Sequence, residues 1–318
     1  MPEFITVKAP MVVGSSTAAA GSPVIPGAPV PRAADGAGEA TVVGPHRPPF
    51  RPLSLLRYAA VLAGAVVMLF PFLWTVITSI TPEGSLAGGP TLIVENPTLA
   101  AYRTLLDTLP MWRIVVNSLW VAVAATLLQL VTGSLAAYGF ARLPFKGKNV
   151  VFALYLATLM VPMQVLVVPL FIEMKTLNLQ DTYMALLAPS IASAFGVFLL
   201  RQAVESVPKE LDEAATIDGA GHLRIFVTII LPLIRPALAT VAVFAFMGSW
   251  NSFLWPLVVI RSPEFMTLPL GLATLQGQFT TEWDVVMAGS VFSILPIAVV
   301  YLLAQRHIIA GVAHTGIK

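Results

Sequence analysis

Six runs of apolar residues, each long enough to cross a hydrocarbon core of about 30 Å, divide this 318-residue chain. They extend over about residues 55–80, 113–140, 150–172, 183–200, 237–260 and 285–305. Runs of this length predict an all-α integral membrane protein with six transmembrane helices, because a helix satisfies its own backbone where no water can. Pro71 inside the first run predicts a kink that neighbouring helices can tolerate. The chain from Thr81 to about Met111 turns polar and irregular at Gly88-Gly89-Pro90 and Asn96-Pro97, with an amphipathic piece at Leu99, Tyr102, Leu105 and Leu106. The third run carries Pro162, Gln164 and Pro169, and the fifth carries Gly248-Ser249-Trp250-Asn251 and then Pro256.

One long segment interrupts this pattern with acids and a glycine: Pro208 to Pro236, PKELDEAATIDGAGHLRIFVTIILPLIRP. Pro208 suits the opening turn of a helix, where a missing amide donor costs nothing. Glu210, Asp212 and Glu213 favour the positive end of that helix. Val207, Leu211, Ala214 and Ala215 fall on one stripe at helical spacing and predict a small-residue face, with Glu210 and Glu213 elsewhere on the surface. Asp218-Gly219 ends the helix, because glycine adopts positive φ without penalty. A second helix follows, with Leu223, Phe226, Val227 and Ile230 on one face and Pro232 as its expected stop.

Composition removes the soluble alternative. The chain is 57% hydrophobic and 11% charged, with a mean hydropathy of +0.84. Residues 1–51 differ: rich in Pro, Gly, Ala, Ser and Val without a period, they read as a disordered tail. Their start, MPEFITVKAP, lacks the basic opening and apolar core of a secretory signal. There is no cysteine, hence no disulfide, zinc-thiolate site or thiol nucleophile. The net charge of +2 matters less than its placement. With six spans, fourteen of the eighteen Lys and Arg residues fall on the side that holds both termini and the 208–236 segment; Arg103, Arg113, Lys175 and Arg261 fall opposite. The bias puts that side, with both termini, in the cytoplasm.

The segment also carries a resemblance. Glu213-Ala214-Ala215, Gly219, Ile229 and Leu231-Pro232, at these spacings, are similar to the EAA loop of ABC-importer permeases. Asp218-Gly219-Ala220 resembles the form found in the carbohydrate-uptake branch. The ending Gln305-Arg306, Gly311, Gly316 and Lys318 is similar to the tail of the maltose-type inner-membrane subunit, although Thr315-Gly316-Ile317-Lys318 departs from the commonest form. The resemblance covers about residues 55–318 and implies the type I importer permease fold, with a cytoplasmic coupling helix in the loop at 208–236 and a cytoplasmic tail at 306–318. It further implies a bacterial inner-membrane complex of two different permeases, two copies of a cytoplasmic ATPase and an external solute-binding protein. ATP and Mg would then be held by the ATPases, and this chain would need no cofactor of its own.

What the spans lack points the same way. No Asp, Glu, Lys, Arg or His lies well inside any of them, so the proton relay of a coupled carrier is missing. A sodium-coupled carrier using neutral oxygens, a channel or a non-transporting scaffold stays open on these grounds. No Gly-rich loop ending in Lys-Ser/Thr is present, so the energy must come from another polypeptide. His46, His222, His307 and His314 fall in tails or loops, away from any catalytic or metal constellation, and no basic patch interleaved with aromatics suggests nucleic acid.

For the solute pathway, Asn117, Gln164, Trp250 and Asn251 are the candidates. Amides match sugar hydroxyls as donor and acceptor together, and an aromatic can stack on a sugar's apolar face. Asn117-Ser118 and Trp250-Asn251 are also familiar from sugar permeases of the branch. Asn117 and Gln164 would serve equally well as bonds between helices, and Trp250 as packing.

Overall fold

The computed structural model describes residues 52–82, 94, 96–276 and 282–315. The tail 1–51 with His46, Gly88-Gly89-Pro90, and Gly316-Ile317-Lys318 lie outside the described residues. So do the side chains of residues 306–315, His307 and His314 among them. The described residues from Arg57 onward form one unit.

Every regular element among the described residues is a helix. The first, α1, is Pro52–Ser79, and it leaves Val61, Met68 and Leu69 exposed, as befits a helix apolar all round. Its end is tied by Ser79 Oγ, 2.8 Å from the Tyr102 hydroxyl, to the short amphipathic α2, Ala100–Thr108, which buries Ala101 and Leu105. Then α3, Met111–Arg142, runs 32 residues. At 1.5 Å per residue that is about 48 Å, more than the hydrocarbon core, so its polar end can stand beyond the bilayer. It buries small residues along its length, among them Ser118, Ala122, Ala125, Ser134 and Ala137, which lets other helices approach closely.

Among the described residues three helices are long and apolar enough to cross a membrane alone, Leu56–Ser79, Met111–Arg142 and Trp283–Leu303. Three bent pairs bring the total up to six. The first pair corrects the single third span expected from the sequence. Here α4, Lys148–Ala157, with a 3-10 turn through Met160, meets α5, Met163–Thr176, at 100°. Pro162 has no amide to continue the helix and holds Val161 extended, at φ −89° and ψ 113°. In the second pair, α6, Tyr183–Leu187, with a 3-10 turn Ala188–Ser190, meets α7, Ala194–Ser206, at 47°, so the fourth apolar run continues past Leu200.

The 208–236 segment forms α8, Glu210–Ile217, and α9, His222–Ile225. Pro232 does not stop the second helix. The chain widens into a π turn, Phe226–Ile230, and continues as α10, Leu231–Leu233, with Pro232 in its opening turn. The wider turn leaves room for the proline ring and demands no amide from it. At Ile234 the chain bends by 80° into α11, Arg235–Trp250.

The fifth apolar run is likewise not one helix to Ile260. It stops at Trp250 and resumes as α12, Leu254–Val259, with Pro256 in the first turn, where its missing amide is harmless. A 3-10 turn at Pro263–Phe265 leads to α13, Leu268–Ala273, and α14, Trp283–Thr315, completes the described chain. The helix α13 lies so close to α3 that a β-carbon at Gly271 would stand 2.9 Å from Ile114 Cδ1.

Candidate functional site

Two regions gather the candidate residues. The first is the elbow made by α8 and α9. Arg142, at the end of α3, reaches across to it: Nη2 donates to the Val207 carbonyl at 2.6 Å, and Nε stands 2.8 Å from Asp212 Oδ2. The two side chains are only 5% and 18% exposed, so the pair is largely out of water. Tyr138 and Phe226 add a ring contact at 5.2 Å, and Ala215, Ala220, Ile229 and Leu231 pack on the same cluster.

Gly219 follows the end of α8 at φ +82°. The amide of Ala220 donates to Ala215 O at 2.9 Å and that of Gly219 to Thr216 O at 3.0 Å, a Schellman closure. The opposite face of the elbow is open. Glu213, Ala214 and Asp218 are exposed, as are Leu211, Leu223 and Val227, and Ile217 is 87% exposed. Both expected stripes are therefore corrected. On α8 the inward side is the half-buried Asp212 and Ala215, beside Val207 just before the helix, while Leu211 and Ala214 are exposed, because Arg142 draws Asp212 inward. On the second helix it is Ile225, Phe226 and Ile230 rather than Leu223 and Val227, because the π turn rotates the register.

The second region is an open cavity of about 260 Å³ lined by α3, α7, α11 and the broken segments between helices. Gln129, Ser190, Ser193, Ser249, Ser252 and Thr267 supply its polar wall. The stretch that carries Thr267 is stapled on both sides. Asn117 Nδ2 donates to Glu264 O at 2.7 Å and Met266 O at 3.1 Å, and Ser118 Oγ accepts from the Leu268 amide. Beyond it, Asp181 accepts from the Arg261 and Ser262 amides, each at 2.9 Å, and from the Ser262 hydroxyl. Burial raises the Asp181 carboxyl, but the Ser262 hydroxyl, the two amides and the Arg261 charge outweigh it and hold the group below the usual carboxylate range.

A helical bundle with broken spans, an anchored elbow and an uncharged cavity matches known proteins. Residues 129–314 match the family described as binding-protein-dependent transport system inner membrane component. The chain belongs to this family. Like its members, the permease is a transport component without an ATPase site of its own. It is 40% identical over 258 residues to the arabinooligosaccharides transport system permease protein AraQ of Halalkalibacterium halodurans, covering 80% of this chain and 92% of that one. It is 34% identical to the lactose transport system permease protein LacG of Rhizobium radiobacter, covering 81% and 94%. Its fold is that of a chain in the crystal structure of a bacterial ABC transporter involved in the import of alginate, with a TM-score of 0.73 at 24% identity and coverage of 81% and 97%.

The four pathway candidates separate in the permease. Asn117 is 3% exposed, and besides its two donated bonds it accepts from the Tyr183 hydroxyl at 2.7 Å. Trp250 is buried, donates to Ser293 O at 3.1 Å and stacks on Phe246. Neither lines the cavity. Asn251 is exposed and bonds back to Met247 O at 2.9 Å, and Gln164 is exposed at the start of α5. The cavity's own polar residues were missed, although Ser249 stands within the Gly248-Ser249-Trp250-Asn251 stretch and Ser190 and Ser193 flank a helix break. Asn117→Leu is expected to destabilise the permease by about 2–4 kcal/mol, since it strands two carbonyls and a hydroxyl in a poorly hydrated site. Thermal unfolding of the detergent-solubilised protein checks this; an unchanged midpoint would mean the three bonds carry no load.

Proposed function

We propose that this permease forms half of the translocation path of an ATP-driven carbohydrate importer in the bacterial inner membrane. Its partners are a second, different permease, two copies of a cytoplasmic ATPase and an external solute-binding protein. Both termini and the elbow face the cytoplasm, as the distribution of Lys and Arg supports. One observation carries the sugar reading: relatives that it matches over four-fifths of its length are named for arabinooligosaccharides and lactose. An uncharged cavity wall is in keeping with a neutral solute. In this reading α8 is the coupling helix. Its exposed side, with Glu213, Ala214 and Ile217, enters a cleft of the ATPase, while Ala215, Ala220, Ile229, Leu231 and Pro232 join it to the spans.

The test is reconstitution. The complete importer in proteoliposomes is expected to take up lactose or an arabinooligosaccharide only with ATP inside and binding protein outside. Uptake without ATP would replace the importer by a carrier or channel. Glu213 stands exposed in the first turn of α8, placed to meet a basic residue of the ATPase. Glu213→Ala is expected to lower ATPase association about tenfold, the loss of roughly one charge-assisted contact. Undiminished co-purification and uptake in that variant would remove Glu213 from the contact.

A further inference from the structure

We propose that the N-terminal end of α4 binds an anionic phospholipid, its phosphate held by Lys146, Lys148 and Arg201 and its acyl chains lying along Val150 and Leu154. The proposal goes beyond the importer reading: it needs the chain to lie in a bilayer and is independent of the solute carried.

The sequence supplies the charge. Between Asp107 and Glu173 there is no Asp or Glu, and within that stretch the end of α3 and the turn after it carry Arg142, Lys146 and Lys148. Arg142 is already paired with Asp212. Among the described residues neither lysine meets a carboxylate, and the Lys148 ammonium reaches only the Leu143 carbonyl, at 3.5 Å. Gly147 lies between the two lysines at φ +78°, a conformation that glycine adopts without penalty, so the chain turns sharply there and both stand where α4 begins.

The fold adds a third cation. Lys148 and Phe152 are four positions apart on α4 and share one side of it. The guanidinium of Arg201, from α7, lies 3.9 Å from the centre of the Phe152 ring, so Lys148 and Arg201 flank the same aromatic side chain. Arg201 Nε donates to Glu205 at 2.8 Å, and among the described residues its Nη groups have no acceptor, although the side chain is only 16% exposed. Most of a planar fork suited to phosphate oxygens is therefore unspent. Three basic groups against the single carboxylate of Glu205 leave this corner positive.

The surroundings place that charge at the edge of the hydrocarbon. The Phe140 ring centre lies 6.0 Å from that of Phe145, 5.2 Å from Phe152 and 6.5 Å from Tyr155. Aromatic side chains gather where headgroups meet acyl chains. Val150 and Leu154, one turn apart on the outer side of α4, are 64% and 66% exposed. The chain thus passes from cationic to apolar between Lys148 and Val150, as a phospholipid passes from phosphate to acyl chain. A soluble phosphate would leave Val150 and Leu154 bare, and a zwitterionic headgroup would bring its own cation against the lysines. Basic corners between spans at the membrane surface fit an anionic headgroup, each Lys or Arg strengthening the attraction.

The chain has no cysteine, so Val150→Cys places one thiol beside the site, and Val66→Cys places one on α1, which is uncharged over residues 58–79. Each thiol carries a fluorophore in the full importer complex, with the other subunits made free of cysteine, in liposomes of phosphatidylcholine. Quenching is then compared between small amounts of spin-labelled phosphatidylglycerol and spin-labelled phosphatidylcholine. At Val150 the anionic lipid is expected to be preferred about tenfold, and at Val66 the two lipids about equally. Lys146→Gln with Lys148→Gln is expected to bring the preference at Val150 to within about twofold, while Arg at both positions keeps it. The site is overturned by a preference at Val150 no greater than at Val66, or by one that the double Gln variant leaves unchanged. Displacement of the labelled lipid by millimolar inorganic phosphate also overturns it, because the ligand is then a soluble anion. So does a double Gln variant that loses the ATPase on purification and keeps its lipid preference, because the lysines then serve a protein partner. None of these results bears on the importer reading, which stands or falls on ATP-driven uptake.

Discussion

Arg142→Met is expected to uncouple the importer, lowering ATP-driven uptake about a hundredfold while the spans still insert and fold. The reason is what the substitution strands. Asp212 would lose its ion-pair partner at a site only 18% exposed, and the Val207 carbonyl would lose its donor. Removing one partner of a buried ion pair costs roughly 3–5 kcal/mol. With Asp212 still partly wetted, about 2–3 kcal/mol is the appropriate share, and each 1.4 kcal/mol is a factor of ten. That loss falls on the seating of α8, since Arg142 is the polar tie between α3 and the elbow, and the packing of Ala215, Ala220 and Phe226 is what remains. A helix that is not seated cannot pass a push from its outer face to the spans. The check is a double-mutant cycle measured as uptake by the reconstituted importer. Asp212→Asn removes the stranded charge, so Arg142→Met combined with Asp212→Asn should recover part of the activity lost by Arg142→Met alone. If the two losses simply add, the residues act independently and the tie has no role in coupling.

Much of this molecule is legible along the chain, and the boundary of legibility is physical. Span positions follow from apolar length alone, and α1 and α3 lie where the runs placed them. The turn after α8 was equally accessible, because Asp218-Gly219 encodes a local backbone demand that Gly219 meets at φ +82°. Breaks within the spans were not. A proline inside an apolar run can kink a helix, stop it or start the next one, and the choice is made by packing. Pro71 stays inside α1, Pro162 separates two helices at 100°, and Pro232 sits in a continuing helix after a π turn. The inward face of α8 was hidden for a different reason. Arg142 and Asp212 are seventy positions apart, and each has an adequate local explanation: a cytoplasmic basic turn for one, a helix dipole for the other. The pathway candidates reflect the same limit. Asn117 has the chemistry to bind a sugar, but whether its amide is spent on Glu264 O and Met266 O depends on contacts nearly 150 residues away.

Gly219→Val is expected to lower coupled uptake at least tenfold, by a route that involves no lost contact. A β-carbon at Gly219 would meet nothing within 4 Å, so space is not the constraint. The constraint is φ, +82°, where an L-residue is disfavoured by roughly 1–2 kcal/mol, and a β-branched one by more. Relieving that strain means opening the closure in which Ala220 and Gly219 donate to Ala215 and Thr216, which sets the angle between α8 and α9. Because the cause is conformational, the substitutions should rank in a distinctive order. Asn tolerates the left-handed region and should cost least, then Ala, then Val. Two residues on, Gly221 also has open space around it, but its backbone lies at φ −77° and ψ 164°, which suits valine. Gly221→Val should therefore leave uptake near the wild-type rate while Gly219→Val does not. Equal losses at the two glycines, or a Gly219 series ordered by side-chain size with Asn below Ala, would mean that a surface contact and not the backbone turn makes Gly219 necessary.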